Sequence, residues 1–418
     1  MRALRLILGC MLVVSAIGCG ASSDPPAPST GPGPPTPIPT ATESPTRATA
    51  TPSRPATTTS PTPPDSPTPD PFTCADLVEA MTLREQVGQL MMVGVDSRGL
   101  GSTEARTLAR TRAGSVILLG NSTLGAGPTR RVVRDVRAAT RRAAGVHTLV
   151  AVDQEGGLVQ RLKGPGFDTI PSAQSQAAQS DAKLTANVAR WGRQLAAVGI
   201  DANLAPVADV VPADLGSANA PIGLLRRGYG SSPRAVAAKT SAFVTGMDRS
   251  GIATAVKHFP GLGQVRGNTD FVQRVVDDRT TRRDPGLAGF AATIDAGVDM
   301  VMVSSAYYAK IDAEHRAAFS TVVIASMLRR DLRFDGVVIS DDLAAAAMTD
   351  LAPGTRALRF ARAGGDLLIV GDPTLAGAMA DAIEQAARDD SGLARRVAES
   401  ATRVVSLKAD RGLGRCAR

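Results

Sequence analysis

Eight apolar runs of strand length, spread over residues 89–371, constrain this chain more than any other feature. They fall at 89–95, 115–120, 148–153, 201–207, 253–258, 299–304, 336–341 and 366–371. Between them lie longer Ala/Arg-rich stretches with helical periodicity, such as 128–144, 183–198, 233–249 and 374–388. Regular alternation of strand and helix argues for a parallel sheet. Eight such units argue that the sheet closes into a (β/α)8 barrel. An open, doubly wound sheet is the alternative. No Gly-x-Gly-x-x-Gly follows the first strand, which weakens a dinucleotide-binding reading. No internal repeat is evident.

The two ends of the chain differ in kind from this middle. Arg2 and Arg5 precede an apolar run from Leu6 to Ile17, too short to span a bilayer and suited to a secretory signal. The run ends Ala16-Ile17-Gly18-Cys19, which resembles a lipoprotein signal (residues 1–18) with lipid carried on Cys19. An ordinary signal peptide with a chance cysteine is the alternative. Residues 20–71 hold 17 of the chain's 28 prolines and almost no large apolar side chain, so they cannot build a core. Residues 19–71 are expected to form a lipid-anchored tether, reaching on the order of 160 Å if fully extended as polyproline II. The expected location is the outer face of the cell membrane, with the lipid as the only membrane contact. The catalytic domain is expected over 72–418, as a monomer.

Charge and cysteines narrow the partners. The first 71 residues sum to zero charge, so the domain carries the whole +8. Its arginines are dispersed and accompanied by few aromatics, which argues against nucleic acid as a partner. An acidic polymer such as a cell-wall glycan fits the balance better. Of four cysteines, Cys10 lies in the signal and Cys19 at its end. Cys74 and Cys416 remain at the two extremes of the domain, and first and last helices of a barrel are neighbours. A disulfide between them is expected outside the cytoplasm. No Cys/His cluster has metal-ligand spacing, and no metal or organic cofactor is expected.

Three strand candidates run straight into charged residues, where a barrel keeps its active site. Asp341 closes the run Val337-Val338-Ile339-Ser340-Asp341. A carboxylate there can attack an anomeric carbon and form a covalent intermediate. Alternatively Ser340 or Asp341 caps a helix beginning near Leu343. Lys257-His258 ends another run, followed by Phe259-Pro260-Gly261-Leu262-Gly263. A cation beside an imidazole can donate to sugar hydroxyls; His258 could instead be a core histidine. Asp153 and Arg161 are separated by Gln154-Glu155-Gly156-Gly157, and the glycines permit a turn that returns both side chains to one pocket. A surface ion pair is the other reading. Arg227 and Asp209 are weaker signals of the same type.

Taken together, Asp153-Gln154-Glu155-Gly156-Gly157 through Arg161, Ala205-Pro206-Val207 through Asp209, Lys257-His258-Phe259-Pro260-Gly261, and Ser340-Asp341-Asp342-Leu343 resemble family 3 glycoside hydrolases. The resemblance is closest to the single-domain β-N-acetylglucosaminidases of bacterial cell-wall recycling, and it covers most of 75–410. It implies a retaining exo-glycosidase that removes terminal β-linked N-acetylglucosamine from cell-wall-derived glycans. It implies Asp341 as nucleophile, and Asp153, Arg161, Arg227, Lys257 and His258 as sugar-binding residues; Asp209, the weaker signal, is expected to join them. Asp342 is expected to point away from the pocket.

One departure matters. In the single-domain enzymes the mobile loop after Lys-His-Phe-Pro-Gly carries Asp-Ser-His, whose histidine is the general acid/base. This chain has Asn268-Thr269-Asp270 there, and its other histidines, His147 and His315, lie elsewhere. In one reading Asp270 is itself the acid/base and restores a two-carboxylate pair. In another the loop is degenerate and the protein binds glycans without turning them over. A third keeps the fold but changes the sugar to another β-glycoside, such as a glucoside or xyloside.

Overall fold

The computed structural model describes residues 72–140 and 142–417. The expected signal peptide and the whole of the expected tether, Cys19 included, lie outside these residues. Eight parallel strands close into a barrel: β1 (Met91–Asp96), β2 (Ser115–Leu119), β3 (Leu149–Val152), β4 (Ala202–Asn203), β5 (Ala253–Phe259), β6 (Met300–Val303), β7 (Val337–Asp342) and β8 (Leu367–Val370). Neighbours in sequence are neighbours in the sheet. The ring closes where Met91, Met92 and Val93 of β1 pair with Leu368, Ile369 and Val370 of β8.

The period of two along each strand sorts side chains into two cores. On β1, Met92 points into the barrel, while Met91, Val93 and Val95 face the surrounding helices. Ile117, Ala151, Ala255, Met302 and Ile339 fill the interior with Met92. The last helix, Ser391–Asp410, shuts the base by adding Val404 and Leu407 to that interior. Its Lys408 is fully buried there and donates to Gln89 Oε1 and the Gly114 carbonyl, each at 2.6 Å.

The chain departs from its sequence pattern in two informative places. The first strand begins at Met91 rather than residue 89, because a helix over Leu83–Gln89 runs up to it. Thr82 and Glu85 form a reciprocal capping box that fixes that helix's start. β4 keeps only two residues of the expected 201–207. Pro206 has no N–H for the ladder, and Val207 rejoins the sheet through a bridge to Lys257.

Cys74 and Cys416 form a disulfide, with Cα atoms 4.9 Å apart across 342 positions of sequence. Backbone pairing reinforces it: Cys74 N donates to Ala417 O at 2.8 Å and Ala417 N to Phe72 O at 2.9 Å. Loop-closure entropy for so long a loop sets an upper bound of about 5–6 kcal/mol. A realised 3 kcal/mol would correspond to about 4 °C in a domain of this size. The double variant Cys74→Ser/Cys416→Ser is therefore expected to melt at least a few degrees below the parent in scanning calorimetry. An unchanged midpoint would show that the backbone pairs alone hold the ends.

Candidate active site

The C-terminal ends of the strands surround a cavity of about 440 Å³. Asp153 enters it from the end of β3, Lys257 and His258 from β5, and Asp341 from β7. The βα connections after β3, β4 and β5 add Arg161, Arg227 and Asp270. Seven of the eight residues singled out for catalysis or sugar binding thus share one cavity.

Asp209 does not. It is 0% exposed and lies behind His258. Its carboxylate accepts from His258 Nδ1 at 2.7 Å, from the His258 backbone N–H at 3.1 Å and from Leu262 N–H at 2.8 Å. The expectation that Asp209 touches sugar is corrected: its oxygens are taken up by protein donors, and it positions the imidazole. Donation from Nδ1 leaves Nε2 facing the cavity, 3.5 Å from Arg227.

The wall of the site is a buried charge network centred on Glu155, which sequence reasoning passed over as part of a turn. Arg227 binds Glu155 through two parallel contacts, Nε to Oε2 at 2.9 Å and a terminal nitrogen to Oε1 at 2.8 Å. Lys257 Nζ lies 2.7 Å from Glu155 Oε1 and donates to Asp153 Oδ1 at 2.6 Å. Burial alone would push the Glu155 carboxyl up, but the charges of Arg227 and Lys257 override it and hold the group well below the usual range. Burial would likewise push Lys257 down, and the charges of Asp153 and Glu155 override it and raise it. Both cations therefore stay charged. A signal for Glu155 was present: a spacing of two on an extended chain puts Asp153 and Glu155 on one face.

The glycines after Glu155 are required by shape. Gly156 has φ 108° and Gly157 φ 56°, in the left-handed region. A Cβ on Gly156 would come 2.3 Å from the Pro171 carbonyl. The resulting hairpin, Gln154–Gly156 against Val159–Gln160, returns the chain so that Arg161 reaches the pocket. Arg161 Nε is buried with no protein partner. An unpaired buried donor is costly, and a ligand oxygen would satisfy it.

Asp341 caps no helix. Its Oδ1 accepts from the Asp342 N–H at 2.9 Å, and the next element is only a short turn, Ala346–Met348. Asp342 also reaches the cavity wall, contrary to expectation. Its Oδ1 is nevertheless tied to the Ala344 and Gly371 N–H groups, both at 2.8 Å. Burial pushes its carboxyl up to about 6, against the pull of those amides.

The loop carrying Asp270 is docked over the site. Thr269 O accepts from Ala347 N–H at 3.0 Å and Asp270 O from Ala346 N–H at 3.4 Å, both just beyond the strand that carries Asp341. Asn268 is buried and accepts the Asp270 N–H at 3.0 Å. Surrounding protein pushes the Asp270 carboxyl above its ordinary value, and the Asp341 charge pushes it further; Arg227 and His258 oppose. Asp270 keeps solvent contact at the mouth, so desolvation acts less strongly on it than on an enclosed group.

Two carboxylates facing one cavity, beside cations and a hydrogen-bonding imidazole, are the equipment of a glycoside hydrolase. The comparisons agree. Residues 82–407 match the N terminal domain of glycosyl hydrolase family 3, and the chain belongs to that family. It is 35% identical to a beta-hexosaminidase of Stenotrophomonas maltophilia over 297 residues, 68% of this chain and 84% of that protein. Its fold is similar to the crystal structure of a beta-N-acetylhexosaminidase from Beutenbergia cavernae, with TM-score 0.78 and 43% identity over 79% of this chain and 99% of the other. It is also similar to a family 3 beta-N-acetylglucosaminidase from Paenibacillus, with TM-score 0.74 and 28% identity over 81% and 64% of the two chains. The protein is a glycoside hydrolase.

Removing Glu155 would strand the buried Arg227 and leave Lys257 with Asp153 alone. Glu155→Ala is expected to cost about 3–5 kcal/mol in urea unfolding at neutral pH. Because its folded-state carboxyl is depressed, this contribution is complete above the ordinary carboxylate range and is lost as the pH falls below it. A cost under about 1 kcal/mol would mean that water replaces the carboxylate.

Proposed function

We propose that this glycoside hydrolase is a retaining exo-β-N-acetylglucosaminidase, with Asp341 as nucleophile and Asp270 as acid/base. Asp270 carries the reading: it stands on a docked loop, in one cavity with Asp341, with its carboxyl biased toward the protonated form. The names of the relatives support an N-acetylhexosamine, and that of the Paenibacillus enzyme supports N-acetylglucosamine, as the sugar.

In the first step the Asp270 carboxylic acid gives its proton to the leaving oxygen. The Asp341 carboxylate attacks the anomeric carbon as the bond to that oxygen breaks, leaving a glycosyl ester on Asp341. In the second step the Asp270 carboxylate takes a proton from water, and the water oxygen displaces Asp341. This pairing requires carboxyls about 5–5.5 Å apart in the reacting complex. Asp153, Lys257, His258, Arg161 and Arg227 hold the ring hydroxyls and the amide. The ionic network of Asp153, Lys257 and Arg227 around Glu155 is formed without substrate, so little reorganisation is needed. The natural substrates in this reading are cell-wall-derived glycans, met at the cell envelope by an enzyme anchored through Cys19.

A slow fluorinated substrate is expected to add one sugar mass to the peptide containing Ser340-Asp341-Asp342, and Asp341→Asn to abolish labelling. A label on another peptide would remove Asp341 from the role.

The pH profile tests Asp270. A general acid must be protonated to act, so kcat/KM is expected to fall as pH rises through the Asp270 value. Asp270→Asn should erase that basic limb and slow poor leaving groups far more than activated aryl glycosides. Azide should partly restore the activated substrate. Asp342 titrates nearby, so Asp342→Asn is the comparison, and the limb should survive in it. A limb that survives Asp270→Asn and disappears with Asp342→Asn would reassign the proton.

A further inference from the structure

Among the described residues, seven large apolar side chains are exposed: Phe72, Leu124, Leu158, Leu224, Phe271, Val272 and Val276. All but Phe72 fall in the βα connections after β2 to β5, around one side of the mouth. Isolated exposed apolar residues need no explanation, but a group confined to the rim of a binding cavity does. Two of them line the cavity itself. Phe271 is 81% exposed and Leu158 is 66% exposed.

The exposure of Phe271 does not come from a loop swung away from the protein. The two residues before it are docked on Ala346 and Ala347 through their carbonyls. Phe271 N–H and Val272 N–H both donate to Asn268 O, at 3.1 and 2.9 Å, which closes a tight turn. The ring is thus presented to solvent by a fixed backbone, next in sequence to the carboxyl that protonates the leaving oxygen. Whatever that oxygen belongs to must lie on the Asp270 side of the scissile bond.

We propose that Phe271 and Leu158 form the platform for the leaving group, and that this group is a second pyranose ring. The inference rests on the hydrolase mechanism above and adds the side chains that hold the aglycone ring. A pyranose has an apolar face of C–H bonds and a rim of hydroxyls. An aromatic ring beside polar groups suits both parts, whereas an alkyl chain would leave the polar groups unpaired. The platform is preorganised, so little conformational entropy is lost when the ring docks.

The test compares kcat/KM for a β-1,4-linked N-acetylglucosamine disaccharide with that for N-acetylglucosaminyl fluoride, which has no aglycone ring. Phe271→Ala and Leu158→Ala are expected to lower the disaccharide-to-fluoride ratio, about tenfold for Phe271, chiefly through KM. Phe271→Trp should retain it. Both positions are exposed, so neither substitution threatens the core. An unchanged ratio, or equal losses on both substrates, would overturn the platform. Preference of the parent enzyme for an n-octyl glycoside over the disaccharide would also overturn it, in favour of an alkyl occupant. Failure of the parent to turn over either substrate would instead strike the mechanism. The platform is then decided by calorimetric titration of the β-1,4-linked trisaccharide. About tenfold weaker binding to Phe271→Ala supports it, and equal binding overturns it.

Discussion

The mouth of this barrel depends on one carboxylate. Glu155 sits between Arg227 and Lys257; it is the carboxylate that pairs with Arg227, and it shares Lys257 with Asp153. Removing charges from water is expensive, and only close, multiply hydrogen-bonded partners offset it. The network recruits three parts of the chain: the hairpin after β3, the connection after β4, and β5 itself. Asp209 extends it beneath His258. A ligand entering the cavity would therefore meet donors whose orientation was settled during folding, with little left to organise.

The second dependence is between Asp270 and Asp341, the two carboxylates proposed to carry the chemistry. The backbone of Thr269 and Asp270 is held by Ala347 and Ala346, a few residues beyond Asp341. The position of Asp270 is thus referenced to the strand that carries Asp341, and the Asp341 charge is one cause that pushes the Asp270 carboxyl above its ordinary value. A histidine does the acid/base work in the enzymes this chain resembles. In the proposed mechanism, partial desolvation and repulsion from Asp341 bring the Asp270 carboxyl toward the same task.

Much of this was legible beforehand. Strand positions followed from apolar runs, because a strand covered on both faces leaves a continuous apolar signature. The ends of β5 and β7 were legible too, since Lys257-His258 and Asp341 follow directly on such runs. What was not legible depended on three-dimensional convergence. Glu155 looked like part of a glycine turn, because its partners lie 72 and 102 positions downstream. Asp209 carried a family motif, but only its depth behind His258 separates a positioning group from one that touches ligand. Asp342 was misplaced because β7 is irregular at its end: pairing with β8 shifts register between Ile339 and Asp342. The shortened β4 follows from Pro206, a local signal outweighed in the reading by the apolar character of its neighbours.

The disulfide joins the ends of the domain at the base of the barrel, beside the starts of β6 and β7. Thr73 and Cys74 share a surface there with Asp299, Gly336 and Val337. The substrate mouth opens at the other ends of those strands. A covalent attachment made upstream of Phe72, to a lipid, a bead or a sensor surface, therefore grips the barrel by its closed end. A load entering the domain at Phe72 meets the Cys74–Cys416 bond before it reaches the loops at the mouth.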